Sequence, residues 1–126
     1  MTSTMTILKV MPGRKPARIT IPHTLDAMQR MVCGDIQAIF PYDDMVALVC
    51  NEEGKNLGME PNRAVRNEDG DILDIISGTF FICGLSEDDF CSLTEKQISY
   101  YSDLFLRPEV FLWNGQNLVV LQMDVA

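Results

Sequence analysis

The chain is short of histidine, of tryptophan and of positive charge: it has one His, one Trp and ten Lys or Arg in 126 residues. Each scarcity excludes something. A single imidazole, His23, cannot supply the histidine pair common in zinc sites, and a Ser-His-Asp or Cys-His arrangement would have to be built on it beside Pro22. A place at a helix entry suits it better. Ten basic against eighteen acidic residues leave a formal charge of −8, the wrong sign for general nucleic-acid binding, which draws on clustered cations. No apolar run nears the roughly 18 residues of a membrane span, and the start MTSTMTILKVMPG has neither a long apolar stretch nor a small-residue cleavage site. The expected location is the cytoplasm. The cysteines, Cys33, Cys50, Cys83 and Cys91, form no C-x-x-C and no regular spacing, which predicts buried free thiols in a reducing compartment rather than disulfides or a metal site.

What is present describes one folded domain over residues 1–126. Apolar residues make up 47% and charged residues 22%, far from the composition of disordered chains. The charge is uneven. Residues 1–30 hold five basic groups against Asp26 alone, and the remaining residues hold five against seventeen. A basic opening segment therefore precedes an acidic body.

Apolar patterning predicts an α+β fold: a mixed, mainly antiparallel sheet, two principal helices and a C-terminal hairpin. MTILKV (5–10) and ARITI (17–21) read as strands joined into a hairpin by MPGRKP. Thr24 is placed to cap a helix of about three turns carrying Leu25, Met28 and Val32, with Gly34 closing it in the left-handed conformation. IQAIFPY (36–42) and MVALVC (45–50) read as strands, the second as the buried heart of the sheet. Pro61–Val65 reads as one short helical turn, and ILDIISGTFFICGL (72–85) as strand bent at Gly78. Thr94 and Gln97 form a capping box ahead of Ile98, Tyr101 and Phe105, and the pair Tyr100–Tyr101 should place one ring in the core and one nearer solvent. VFLW and LVVLQM, flanking Asn114–Gly115, read as a terminal hairpin over about 110–123.

Three stretches carry candidate chemistry. Asn51-Glu52-Glu53-Gly54 follows a buried strand, with Asn62-Arg63 beyond it, and loops at strand ends are where a rigid sheet positions ligands. Two adjacent carboxylates can bind a cation or share a proton, and Arg63 can pair with one of them or grip an anion. The structural alternative is a polar turn in which Asn51 bonds its own backbone and Gly54 supplies a positive φ. Pro12-Gly13-Arg14-Lys15-Pro16 brings two cations together in a loop, either as an anion site or as a solvated hairpin tip, without the spacing of a P-loop. Asn67-Glu68-Asp69-Gly70-Asp71 alternates oxygen ligands like a calcium loop but lacks its glycine after the third ligand and its closing Glu, so a charged hairpin turn is expected. No cofactor and no metal is called for.

Taken in order, the opening PGRKP strand pair, IPHTLDAMQRMVCGDIQAIFPYDD, VCNEEGKNLGMEPNRAV, IISGTFFICGL and SLTEKQISYYSDLFLRPEVF resemble a small domain family of unknown function. That family occurs on phages, plasmids and conjugative elements, especially of gut anaerobes. The resemblance covers about residues 6–112, and where the family often has Gly-Gly this chain has Cys33-Gly34. The resemblance implies mobile-element context and adds interest to NEEG and NR, which belong to the family pattern. The leading expectation is a non-enzymatic binding module engaging a host protein, in a counter-defence or other host-directed role, or a small anionic ligand, through Asn51–Arg63, with homodimerisation open to it. The alternatives are a small hydrolase or nucleotide-processing enzyme using Glu52 or Glu53, and an acidic DNA mimic.

Overall fold

A computed structural model describes residues 3–124. Its main sheet is antiparallel at every ladder, with strand order β2 (Ala17–Pro22), β1 (Thr4–Val10), β7 (Phe80–Leu85), β4 (Val46–Asn51), β3 (Ile36–Ile39), and the stub β8 (Phe90–Cys91) beside β7. β1 and β2 form the expected hairpin. The apolar run of β4 is buried throughout, but β7 takes the middle of the sheet: Ile82 lies opposite Leu8 on one side and Leu48 on the other.

Alternation along these strands separates two apolar layers. Val46, Leu48, Phe80 and Ile82 face helix α2 (Glu95–Leu104) with its Ile98 and Tyr101, and Phe105 just beyond. Ala47, Val49, Phe81 and Cys83 face helix α1 (Leu25–Val32) through Met28 and Val32. A sheet covered on both faces needs strands apolar on both faces, which is why β4 and β7 lack the polar alternation of a half-exposed strand.

Helix α2 begins at the expected capping box, with the Thr94 hydroxyl accepting from the Gln97 N–H and the Gln97 side chain accepting from the Thr94 N–H. Tyr101 is buried and Tyr100 exposed, their rings stacked at 4.8 Å. Helix α1 differs from its prediction. It has eight residues, closer to two turns than three, and Leu25 at its start is exposed. The left-handed residue that ends it is Cys33 (φ 63°), one position before the expected Gly34. Cys33 is also exposed, whereas Cys50 and Cys83 are buried and Cys91 partly so, and all four thiols are free.

The expected helical turn at Pro61–Val65 is instead strand β5 (Pro61–Arg66), paired with β6 (Ile72–Ser77) in a separate two-stranded sheet. Pairing of Arg63 with Ile76 and Ala64 with Ile75 overrides the local preference set by Pro61. Register shifts leave Asn62 as an extra residue, a bulge that turns its side chain inward. The bend at Gly78 (φ 82°) is sharper than anticipated, because it passes the chain from this small sheet into the main one; a Cβ there would lie 2.7 Å from the Met59 sulfur. The calcium-like run is the β5–β6 hairpin turn, where the Asn67 side-chain oxygen accepts from the N–H groups of Asp69 and Asp71. The terminal hairpin pairs β9 (Glu109–Trp113) with β10 (Leu118–Gln122). Among the described residues no helix is long and apolar enough to cross a membrane.

Candidate functional site

The polar turn after β4 is built on Asn51, which is buried at 5% exposure. Its side-chain amide donates to the carbonyls of Val32 (3.0 Å) and Cys33 (3.2 Å), and its oxygen accepts from the Glu53 N–H at 2.7 Å. Those two carbonyls lie at the end of α1, where the helix leaves acceptors unpaired. One side chain thus closes a helix terminus and folds the turn that follows β4. The approach requires Gly34, since a Cβ at that position would come within 2.7 Å of the Asn51 amide nitrogen. Gly54 is needed for a different reason than expected. Its φ is not positive; it lies so close to β6 that a Cβ would sit 2.8 Å from the Ser77 carbonyl oxygen.

Glu52 and Glu53 stand exposed on this anchored turn. The Glu53 carboxylate accepts from the Asn56 amide at 2.8 Å, and Lys55 pairs with Asp74 of β6. Together with Gln37 these groups rim an open pocket of about 200 Å³. Asp74 and Gln37 lie outside the Asn51–Arg63 segment expected from the sequence. Asp74 has a legible signal, a lone acid inside ILDII, whereas Gln37 is brought near only by the pairing of β3 with β4. Burial pushes the Cys50 thiol beneath the pocket above its ordinary pKa, which keeps it protonated at neutral pH.

Asn62 and Arg63 do not line this pocket. Asn62 is fully buried, and its amide donates to the carbonyls of Val10 (2.9 Å) and Gly78 (2.8 Å), tying the β5 bulge to β1 and to the bend before β7. Arg63 is 1% exposed. Its Nε donates to the Phe105 carbonyl at 3.3 Å, one terminal nitrogen donates to the carbonyl and the side-chain oxygen of Asn62 (3.2 and 2.8 Å), and the other donates to the carbonyls of Phe105 (3.1 Å) and Arg14 (2.5 Å). A guanidinium has five N–H donors, and each has an acceptor here, which leaves none for a ligand.

The position of Arg63 also answers a need of α2, which has no basic residue in its last turn. The charge arrives from β5, with the guanidinium against the carbonyl of the C-cap residue Phe105, where a helix terminus favours a cation. Burial lowers the Arg63 pKa and the nearby Glu109 carboxylate opposes that shift. Glu109, itself buried, accepts from the Ala64 N–H at 2.6 Å and pairs with Arg66 at 2.9 Å. Arg14 and Lys15 lie exposed in the β1–β2 loop, which Arg63 holds through the Arg14 carbonyl. Among the described residues no three His, Cys, Asp or Glu side chains come together so as to hold a metal ion.

A family model described as "Domain of unknown function (DUF3846)" matches residues 5–106. No curated protein and no solved structure matches the chain.

Proposed function

The chain belongs to the DUF3846 family of domains of unknown function, and from that premise we propose that it is a non-enzymatic interaction module of a mobile genetic element, engaging a host protein through the turn at residues 51–60. The observation that carries this reading is the pair of exposed carboxylates, Glu52 and Glu53, on a turn immobilised by Asn51 and Gly54 beside an open pocket. A rigid, charged projection has little conformational freedom to lose on binding. The rim is net acidic: Glu52, Glu53 and Asp74 face one cation, Lys55, which already pairs with Asp74. Such a rim fits a partner presenting Lys or Arg. A small anionic ligand is the weaker match, because Arg63, the cation that would have gripped it, has no donor to offer.

Capture from host lysate, followed by cross-linking from residues 51–60, tests the reading. The wild-type chain should retain a partner cross-linked through a basic segment, and retention should weaken from about 0.05 to about 0.5 M salt as surface charges are screened. The double variant Glu52→Gln, Glu53→Gln should lose that partner while staying folded. Equal capture by the double variant would refute the proposal. A turnover abolished by Glu52→Gln alone would replace it with the enzymatic reading.

A further inference from the structure

The β9–β10 hairpin lies beyond the family match and differs from the body it projects from. Residues 110–123 contain no charged side chain, in a chain of net charge −8. Both faces of the ribbon are apolar. Phe111, Trp113, Leu118 and Val120 share one face, Val110, Leu112, Val119 and Leu121 the other, and Trp113 is 69% exposed. An isolated two-stranded ribbon is marginal in water, and an uncharged strand edge is what soluble proteins ordinarily blunt with Lys, Pro or a covering element.

The hydrogen-bond pattern shows which backbone groups are free. The Asn114 N–H donates to the Asn117 carbonyl and the Met123 N–H to the Pro108 carbonyl. Because bonded pairs alternate along an antiparallel ladder, the N–H and C=O groups of Leu118, Val120 and Gln122 point away from β9. Among the described residues β10 pairs only with β9. The root of β9, by contrast, is held at β5 through Glu109 and the Ala64 N–H.

We propose that β10 is a self-association edge: two copies of this chain pair antiparallel through β10 about a two-fold axis at Val120, making a four-stranded sheet from two hairpins. A second copy is the fitting occupant because an isologous contact pairs the strand with itself, Val120 against Val120 and Leu118 of each copy against Gln122 of the other. A neutral strand meets itself without like-charge repulsion, since residues 110–123 carry no charge. Edge pairing with the flanking side chains removes on the order of 1,000 Å², the low end for a specific interface, so the dimer should be reversible, with a Kd of roughly micromolar order. This surface is separate from the 51–60 turn, so its failure would leave that reading standing.

Sedimentation of the full-length chain across about 1 to 100 µM should show a concentration-dependent dimer. Val120→Lys sets two ammonium groups together at the axis and should raise the dimer Kd about tenfold or more. Leu57→Lys, at an exposed site on the 51–60 turn, should not change it. Cysteine trapping gives an independent reading that does not rely on a destabilised hairpin. In a Cys33→Ser background, Val120→Cys should form an intermolecular disulfide on mild oxidation, since facing Cα atoms in a bonded antiparallel pair lie about 5.5 Å apart, and Leu112→Cys, on β9, should not. A chain that stays monomeric throughout the range, a dimer untouched by Val120→Lys, or equal trapping at 112 and 120 would each overturn the proposal.

Discussion

Asn51–Gly54 and Asn62–Arg63 look alike as sequence, an amide and charge at the edge of an apolar run, and the fold uses them in opposite ways. The first pair of carboxylates faces solvent on a fixed turn; the charge of the second is sealed inside. The two amides, Asn51 and Asn62, do similar work, each donating to two backbone carbonyls far from it in sequence. Asn51 and Arg63 each meet carbonyls at a helix end, Asn51 at α1 and Arg63 at α2. A polar residue at the edge of an apolar run can therefore report an acceptor needing a donor as readily as it reports a ligand site.

The sharpest way to break this comparison is at Arg63. Arg63→Met should cost about 3–5 kcal/mol in urea unfolding, because it strips the donors from carbonyls of three segments, those of Arg14, Asn62 and Phe105. Arg63→Lys should recover little of that loss, since an ammonium cannot reproduce a planar five-donor fork. A loss below about 1 kcal/mol for Met would show that the fork is dispensable. Next in size is Asn51→Ala, expected to cost about 1–3 kcal/mol. Asn51→Asp should be no milder, because it turns an acceptor toward the Val32 and Cys33 carbonyls; an Asp variant as stable as wild type would remove Asn51 from its capping role.

Smaller effects sharpen the contrast. Cys33→Gly should stabilise the protein by about 0.5–1 kcal/mol, because a left-handed C-cap suits glycine and Cys33 is exposed with no core contact to lose. A thermal midpoint unchanged or lowered would count against strain at that position. Glu52→Gln with Glu53→Gln should shift stability by no more than about 0.5 kcal/mol, setting a folded control beside the binding assay. A large destabilisation there would mean that the two carboxylates support the turn.

Local signals were legible and non-local ones were not. The capping box at Thr94, the Asn-Gly hairpin and the unbroken apolar run of β4 are decided within a few residues, and each stands where its pattern placed it. Strand β5 escapes a local reading because Pro61 and the polar pair behind it favour a turn, while the ladder to β6 and the bulge at Asn62 are set by partners such as Ile75, Ile76 and Ser77, more than ten positions away. The place of Arg63 is illegible in the sequence for the same reason. Its acceptors come from Arg14 and Phe105, 49 and 42 positions distant, and no spacing rule connects them. The acidic turn was found because its residues are contiguous, whereas Asp74 and Gln37 joined it only through strand pairing.

The central place of β7 sets an order of events for a chain emerging from the ribosome. Ile82 must be available before Leu8 and Leu48 acquire a common neighbour, so the β1–β2 and β3–β4 hairpins are made early and wait, each with an open inner edge, for most of the chain to be synthesised. Closure by so late a strand is slow and leaves apolar edges exposed in the interval. Expression should consequently respond to changes in β7 more than to equal changes in β3, even where the finished proteins are equally stable.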